Sequence, residues 1–248
     1  MTENLPALTV RGVRKTFEAE NAPVRALRGA DLTVTAGEFV ALMGPSGCGK
    51  STLLNLVAGL ELADEGTIMV AGEEVTGRGE DDLARLRRKH IGIIFQFFNL
   101  LEGMTVLENV ALPAVIAGRK RKMAETRARD LLDLLGIGDK AAAVPGVLSG
   151  GQRQRLAIAR ARANEPTLRL ADEPTGALDS DGGQEVIELL SRLHVGGQTI
   201  LMVTHDAQVA AAAQRIVRML DGRILAPDAY DEPQSEPQRE ASVAVEAR

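Results

Sequence analysis

Short apolar runs and amphipathic segments alternate along most of the chain. Four runs are apolar enough to be strands buried on both faces of a sheet, and they cover residues 39–43, 91–95, 167–171 and 198–203. Helix-like segments follow three of these runs, at residues 52–58, 184–194 and 206–213. This alternation predicts a parallel sheet with right-handed crossovers and a ligand at the carboxyl ends of its strands.

Two other parts of the chain have a different pattern. Residues 8–43 begin with segments that alternate polar and apolar positions, and we expect an antiparallel, strand-rich layer there. Residues 97–160 are helical in pattern: Thr105 and Glu108 form a capping box, and a helix ends at Gly136. The remaining predicted elements are strand 67–70, helices 81–89, 123–135 and 152–163, and a hairpin of 215–220 and 223–225 across Asp221-Gly222.

The order of these segments predicts one interrupted domain. We expect a core made of residues from about 1–96 and 164–226, with a helical subdomain at about 97–163 inserted between its two parts. Residues 227–248 are rich in Pro, Glu, Gln and Ser and contain little that could be buried. We expect them to form a disordered acidic tail.

Composition narrows the class of protein. The 248 residues are 45% hydrophobic, which is enough for a large core, and the net charge of −5 argues against a nucleic-acid partner. Cys48 is the one cysteine, which rules out an internal disulfide framework and fits a reducing compartment. The sequence has neither a signal-peptide pattern nor an apolar run that approaches about 18 residues. We therefore expect a cytoplasmic protein.

The residues after the first apolar run match a phosphate-binding loop. Residues 44–51 have the pattern G-x-x-x-x-G-K-S between a predicted strand and a predicted helix. The backbone N–H groups of such a loop, together with the dipole of the helix that follows, hold a phosphate. Lys50 would reach the β- and γ-phosphates, and the Ser51 hydroxyl would bind Mg²⁺. The residues expected to hold the nucleotide here are Gly44, Pro45, Ser46, Gly47, Cys48, Gly49, Lys50, Ser51 and Thr52.

Two acids, Asp172 and Glu173, follow the third apolar run. Beside a bound nucleotide, Asp172 would help to hold Mg²⁺ through its water shell, and Glu173 would polarise the water that attacks the γ-phosphate. A helix N-cap is the alternative role for Asp172.

A third motif, Leu-Ser-Gly-Gly-Gln at residues 148–152, opens a predicted helix. The hydroxyl and the glycine turn at this helix start make it a second possible phosphate cradle. With the phosphate loop and the two acids, this motif makes the chain resemble the ATP-binding-cassette (ABC) family from about residue 8 to 226. The resemblance implies an ATPase that binds ATP and Mg²⁺. It also implies an α/β fold: a P-loop NTPase (RecA-like) parallel-sheet core, an N-terminal antiparallel β layer and an inserted α-helical subdomain.

The resemblance assigns roles to further residues. Gln96, after the second apolar run, is similar to the family's glutamine that contacts Mg²⁺ or the attacking water, and His205 is similar to the switch histidine that contacts the γ-phosphate. Asp179 lies in a segment similar to the loop that signals across the dimer. Phe17 lies where the family has an aromatic residue that stacks on adenine, with core packing as the alternative.

These roles define three sets of residues. The expected catalytic residues are Lys50, Gln96, Glu173 and His205. The expected metal-binding residues are Ser51, Gln96 and Asp172. The resemblance adds to the nucleotide-binding set Phe17, Ser149, Gly150, Gly151, Gln152 and Asp179.

An assembly is also implied by the resemblance. Since the motif at 148–152 cannot reach the phosphate loop of its own chain, two chains would pair head to tail around two ATP molecules. The second chain would be another copy or a paralogous ATPase. The pair would drive integral-membrane permease subunits and so lie on the inner face of the cell membrane. The apolar residues expected either to meet the permease or to pack the core of the helical insert are Phe97, Phe98, Leu100 and Leu101.

Residues 97–110 and 171–179 resemble one branch of the family, the branch of lipoprotein release and macrolide export. The alternative is a cell-division relative that uses ATP cycles to regulate a partner across the membrane without transporting a substrate. Nucleic-acid and ribosome ATPases of the family have two cassettes or a long coiled-coil insert, which this chain does not have. The substrate and the direction of transport stay open.

Three residues depart from the family pattern or add chemistry to it. Arg162 and Arg169 stand where the family has apolar residues, and an unpaired buried guanidinium lowers stability. We therefore expect replacement by Leu to raise the melting temperature. The alternative is that both side chains extend to solvent or find a carboxylate. Cys48 lies beside Lys50 at a helix N-terminus, where the pKa of a thiol falls, and we expect ATP to protect it from alkylation. A small filler residue is the alternative for Cys48.

Overall fold

Two β-sheets organise the computed structural model, which describes residues 6–18 and 22–226. The larger sheet has six strands, numbered in chain order, which in spatial order are Arg223–Ile224 (β10), Arg215–Leu220 (β9), Phe39–Met43 (β3), Thr199–Thr204 (β8), Leu168–Asp172 (β7) and Ile91–Ile94 (β6). Its strands are parallel except in the hairpin of β9 and β10. The smaller sheet is antiparallel, in the order Val24–Thr35 (β2), Pro6–Phe17 (β1), Glu65–Val70 (β4) and Glu73–Glu74 (β5).

Seven α-helices lie within the described residues. They are Lys50–Val57 (α1), Glu80–His90 (α2), Val106–Ile116 (α3), Arg121–Leu134 (α4), Gly150–Ala161 (α5), Ser180–Val195 (α6) and Ala207–Ala210 (α7). Two short 3₁₀ turns, Gly138–Lys140 and Pro145–Val147, connect α4 to α5. No helix in the described part of the chain combines the length and the apolar composition needed to cross a membrane.

Strand β3 shows why the parallel strands are almost continuously apolar. Val40 and Leu42 belong to a core shared with the smaller sheet, α1 and α2. Phe39 and Ala41 belong to a second core on the opposite face, shared with α3, α4, α5 and α6. All four side chains are fully buried, because a core covers each face of the sheet at β3. The parallel-sheet core expected from the sequence is confirmed.

The antiparallel layer is shorter than the sequence pattern indicates. It is confirmed for β1 and β2, but it ends at Thr35. The prediction of an antiparallel start up to residue 43 is wrong at its end, because β3 pairs in parallel with β8 and β9. Strand β5 was not predicted, since two exposed or half-buried glutamates carry no strand pattern.

Local signals in the helical segment and the hairpin are confirmed. At the start of α3, Thr105 Oγ1 accepts a hydrogen bond from the Glu108 N–H, and Glu108 Oε2 accepts one from the Thr105 N–H. At the end of the sheet, Asp221 and Gly222 both have positive φ, 47° and 75°, as a tight hairpin turn requires. The predicted disordered tail, residues 227–248, lies outside the described residues.

Candidate functional site

The phosphate-binding loop lies between the carboxyl end of β3 and the start of α1. Gly49 has a φ of 107°, and a Cβ there would lie 2.4 Å from the Ala26 carbonyl oxygen. At Gly44 a Cβ would lie 2.2 Å from the Met219 carbonyl oxygen, so neither position has room for a side chain. The N-cap of α1, Gly49, has no side chain to bond the first N–H groups. These groups are therefore available to an anion, as the loop pattern predicts.

Lys50 is folded back over this loop. Its side chain is buried, and Nζ donates hydrogen bonds to the carbonyl oxygens of Gly44 (2.8 Å) and Pro45 (3.0 Å). The ammonium group is thus held at the edge of the loop by neutral acceptors. Because no carboxylate of the described residues accepts from it, its positive charge remains available to a phosphate.

Ser51 and Asp172 meet across two elements. The Ser51 Oγ donates a hydrogen bond to Asp172 Oδ1 at 2.9 Å, although the residues are 121 positions apart in the chain. Burial raises the pKa of the Asp172 carboxyl, the Ser51 hydrogen bond opposes this rise, and the nearby Glu173 charge adds to it. The structure thus brings together two of the three residues expected to bind the metal, and both offer oxygen atoms.

Glu173 and His205 form a pair at the ends of neighbouring strands. The His205 Nδ1 lies 2.9 Å from Glu173 Oε1. The Glu173 carboxyl is largely buried while the imidazole is mostly exposed, at 14% and 62% of their side-chain surfaces. Glu173 has a φ of 44°, which is uncommon for a residue with a Cβ and clusters at functional sites. The exposed His205 imidazole therefore connects the largely buried Glu173 carboxylate to solvent.

Gln96 lies against the segment that follows Glu173. It lies two residues after the end of β6, which pairs with β7, and it is half-buried. A Cβ at Gly176 would lie 2.7 Å from Gln96 Nε2, so the two residues are in close contact. The glycine at 176 therefore makes room for Gln96 beside the loop after β7.

A cleft of about 670 Å³ opens over the phosphate-binding loop. It brings together part of the predicted nucleotide-binding set with Glu173, and the predicted residues that line it are Phe17, Ser46, Gly47, Gly49, Lys50, Ser51, Thr52 and Glu173. The Lys15 Nζ lies 5.1 Å from the centre of the Phe17 ring, so one face of this ring is already covered by a cation.

Sequence reasoning missed another part of the cleft lining. Arg25, Ala26 and Arg28 of β2, together with Asp221 and Gly222, line the cleft. The Asp221-Gly222 turn was predicted only as a hairpin. In the structure the Gly222 N–H donates to the Cys48 carbonyl oxygen at 2.9 Å, which fastens this hairpin to the phosphate-binding loop. The Asp221-Gly222 sequence gave no signal for this contact, because Cys48 and Gly222 lie far apart in the chain.

The motif at residues 148–152 lies outside this cleft. Ser149 is the N-cap of α5: its Oγ accepts from the Gln152 N–H, and Gln152 Oε1 accepts from the Ser149 N–H. Asp179 similarly caps α6 by accepting from the Gly182 N–H at 2.9 Å. Among the described residues that line the cleft, none belongs to 148–152 or is Asp179. Within one chain, the two candidate phosphate cradles are therefore separate.

The predicted activation of Cys48 is wrong. Its side chain is only 4% exposed, and burial raises the pKa of the thiol more than the charge of Lys50 lowers it. A Cβ at Gly44 would lie 2.8 Å from the Cys48 Sγ, so the sulfur fills space behind the loop. Cys48 thus acts as a small packing residue, the alternative that the sequence left open.

Arg169 is buried, and part of its guanidinium has no partner within the described residues, which is one of the outcomes that the sequence left open. It is 2% exposed, and its Nε has no hydrogen-bond partner. Burial lowers the pKa of Arg169 to about 10, and the positive charges of Arg162 and Arg127 contribute. The same crowding affects Arg162. Its Nε and Nη1 have no partner in the part of the chain that the structure describes, and burial lowers its pKa as well.

We expect Arg169→Leu to stabilise the protein. The lowering of the Arg169 pKa to about 10 corresponds to a destabilisation of about 3 kcal/mol, and about 2–4 °C of melting temperature per kcal/mol gives a rise of roughly 6–12 °C. Because folding lowers this pKa, the destabilisation is fully present below pH 10 and is lost only as the pH rises above it. Thermal unfolding should show the same gain at pH 6 and pH 8. An unchanged or lower melting temperature would contradict this reading.

The amino-acid sequence is similar to a known protein family and to known proteins. A family model described as "ABC transporter" matches residues 27–176. The chain is 48% identical over 219 residues to the macrolide export ATP-binding/permease protein MacB of Rhodopseudomonas palustris, covering 88% of this chain and 33% of that protein. It is 47% identical over 220 residues to MacB of Escherichia coli K12, covering 89% and 34%. The chain thus spans about a third of the length of these relatives.

Solved structures agree with the fold. The dimeric post-hydrolysis structure of the ATP-binding cassette MJ0796 bound to ADP and Pi superimposes with a TM-score of 0.81 at 39% identity, covering 88% of this chain and 97% of that chain. A second dimeric structure of MJ0796, described as a bacterial ABC transporter cassette, gives the same TM-score and coverage at 40% identity.

Proposed function

Because the family model covers more than half of it, this chain belongs to the ABC transporter family, and we propose that it is the ATP-hydrolysing subunit that drives a membrane permease. The observation that carries the proposal is the meeting of four groups at the carboxyl ends of the parallel strands. Lys50 and Ser51 come from the phosphate-binding loop, and Asp172 with Glu173 from the end of β7. The matching relatives are named exporters, which favours transport over regulation without transport.

The residues at the cleft fit ATP and Mg²⁺. The free N–H groups of the α1 start and the Lys50 ammonium suit phosphates, and the exposed face of Phe17 suits the adenine ring. Ser51 Oγ and Asp172 Oδ1 are both oxygen donors, which Mg²⁺ prefers, and one of them would bind the metal directly or through water. Mg²⁺ would neutralise charge on the β- and γ-phosphates.

In the proposed hydrolysis, Glu173 orients the attacking water and accepts its proton. His205, bonded to Glu173 through Nδ1, would keep the carboxylate oriented and present its other ring nitrogen to the γ-phosphate. Lys50 would leave the carbonyl oxygens of Gly44 and Pro45 for the β- and γ-phosphates. Gln96, in contact with Gly176, would report the state of this site to the α3–α5 segment, which we assign to a helical subdomain.

The second phosphate cradle supports a head-to-tail dimer. Ser149, Gly150 and Gly151 open α5 but do not line the cleft of their own chain. The MJ0796 cassette, whose fold this chain shares, is dimeric in both solved structures. We propose that each cleft is closed by residues 149–152 of a second chain, so that two ATP molecules lie in the interface.

Of the four apolar residues considered for a permease surface, two have exposed side chains. Phe97 is 73% exposed and Leu101 is 42% exposed, whereas Leu100 packs against the core of the helical segment. The Arg160 guanidinium donates hydrogen bonds to the carbonyl oxygens of Phe98 and Asn99, which both have positive φ. Arg160 therefore holds the turn that presents Phe97. We propose that Phe97 and Leu101 contact the permease, which would bring the chain to the membrane.

Removal of the metal tests the enzymatic part of the proposal. We expect the purified chain to release phosphate from ATP in the presence of Mg²⁺, and an excess of EDTA to reduce this release to background. Adding Mg²⁺ back should restore the rate. Hydrolysis that is insensitive to EDTA, or none at all with Mg²⁺, would contradict the proposal.

A further inference from the structure

Gln154 is a fully buried polar residue in the first turns of α5. Its Nε2 donates a hydrogen bond of 2.8 Å to the Pro174 carbonyl oxygen, and its Oε1 has no partner within the described residues. An apolar side chain would fill such a place without leaving an amide oxygen unpaired. The contribution specific to glutamine is therefore the bond to Pro174, the residue directly after Glu173.

The start of α5 rests on the loop that Pro174 begins. A Cβ at Gly150 would lie 3.1 Å from the Leu178 side chain, so the two are in close contact. The loop is closed by two bonds of its own, from the Gly176 N–H to the Glu173 carbonyl oxygen and from the Leu178 N–H to the Thr175 carbonyl oxygen. These two bonds make the loop a compact turn that lies against the start of α5.

Glu173 needs support from its neighbours because of its left-handed backbone. Its N–H donates to the Val203 carbonyl oxygen of β8 at 3.0 Å, and its own carbonyl oxygen accepts from Gly176. The next carbonyl oxygen, that of Pro174, accepts from Gln154. The bond to Val203 connects Glu173 to the sheet, and the bond from Gly176 connects it to its own loop. The bond from Gln154 to Pro174 is the one that comes from α5.

We propose that Gln154 is a positioning residue that couples the helix start at Ser149–Gln152 to Glu173 of the same chain. This inference rests on the proposed function, in which that helix start binds the ATP held by a second chain. Closure around one ATP would then set, through the Gln154–Pro174 bond, the carboxylate that acts on the other. The two ATP sites of a dimer would hydrolyse cooperatively for this reason.

The replacement Gln154→Leu removes the hydrogen-bond donor and puts an apolar side chain of similar size in its place. We expect kcat for ATP hydrolysis to fall about 10-fold or more, since a misplaced catalytic group costs rate. The KM for ATP should hardly change, because the residues that line the cleft are intact. The Hill coefficient for ATP should fall toward that of independent sites. A loss of packing alone would not remove cooperativity.

The replacement Gln154→Glu supplies a second test that does not depend on the first variant folding well. An ionised carboxylate cannot donate to the Pro174 carbonyl oxygen, whereas a protonated carboxyl can. Because burial raises the pKa of a carboxyl, the protonated fraction grows as the pH falls. The ratio of the variant's rate to the wild-type rate should therefore rise from pH 8 to pH 6.

Gln184→Leu is a matched control, since Gln184 is exposed on α6 and bonds to Glu188 of the same helix. It should retain wild-type kcat and cooperativity. If the wild type is active and the Gln154→Leu variant is equally active and cooperative, the inference is overturned while the proposed function stands. A Gln154→Glu ratio that does not change with pH would have the same consequence. A wild type that hydrolyses no ATP would overturn the proposed function as well.

Discussion

Glu173→Gln is expected to lower the rate of ATP hydrolysis at least about 100-fold, the smallest contribution typical of a general base. The amide keeps the shape of the carboxylate but cannot accept the proton of the attacking water. ATP binding should persist, because Lys50, Ser51 and the loop glycines that line the cleft are unchanged and are the residues proposed to hold the phosphates. Phosphate release and binding of a fluorescent ATP analogue, measured on the same preparation, separate the two effects.

Glu165→Gln is the matched control for this prediction. Glu165 also has a left-handed backbone, with a φ of 54°, but it is exposed and pairs with Arg127 at 3.2 Å, and it does not line the cleft. Its variant should hydrolyse ATP at the wild-type rate. A Glu173→Gln variant that keeps most of its activity would show that another group acts as the base.

Gly151→Asp should abolish hydrolysis from the other side of the proposed interface. A Cβ at Gly151 would lie 3.9 Å from the nearest atom, the Gly182 Cα, so the fold accepts a side chain there. The added carboxylate would face the phosphates of an ATP held by the second chain, and the repulsion should prevent closure. Loss of such phosphate stabilisation costs about 100-fold or more in rate. ATP binding by the single chain should be unaffected.

Two further variants identify the cause of that loss. Gly151→Ala adds the Cβ without the charge and should retain substantial activity. An equal mixture of Gly151→Asp with Lys50→Ala forms some dimers in which one cleft has a native loop and a native partner cradle. Hydrolysis should reappear in the mixture, at a rate lowered about 10-fold or more because the Gly151→Asp chain's own helix start closes around no ATP and its Glu173 lacks the coupling through Gln154. A mixture as inactive as its components, or a Gly151→Asp chain that hydrolyses normally, would contradict the shared site.

Much of the fold was predictable because its signals are local. The buried strands are continuous apolar runs, since both faces of the parallel sheet are covered. The capping box at Thr105 and the Asp221-Gly222 turn depend only on neighbouring residues. The change from the antiparallel layer to the parallel sheet between Thr35 and Phe39 was only partly predicted: the run 39–43 was assigned to the parallel sheet but was also included in the antiparallel range 8–43. Pairing direction depends on distant partners and leaves no mark on a short apolar strand.

The site divides in the same way. The phosphate-binding loop was predictable, and the meeting of Ser51 with Asp172 followed from the rule that parallel strands end at one edge. The contact of Gln154 with Pro174 and the fastening of Gly222 to Cys48 were not predictable from spacing. Cys48 was predicted wrongly because the charge of Lys50 is visible in the sequence, whereas the burial that outweighs it comes from packing.

Arg169 is a local departure from the apolar pattern of the parallel strands. A charged residue within an apolar strand left three outcomes open, namely burial without a partner, a path to solvent and a pairing carboxylate, and the structure shows burial with Nε unpartnered within the described residues. The clustering of Arg169 with Arg162 and Arg127 was not foreseen, because these residues come from a strand, a helix end and a different helix.

The central claim, that each ATP site is completed by a second chain, is tested most directly by the mass of the Glu173→Gln variant in solution. Sedimentation should show one chain without nucleotide and two chains with ATP, because ATP that is bound but not hydrolysed keeps the interface closed. The double variant Glu173→Gln with Gly151→Asp should remain a single chain with ATP bound. A Glu173→Gln variant that binds ATP and stays monomeric at high protein concentration would contradict the claim.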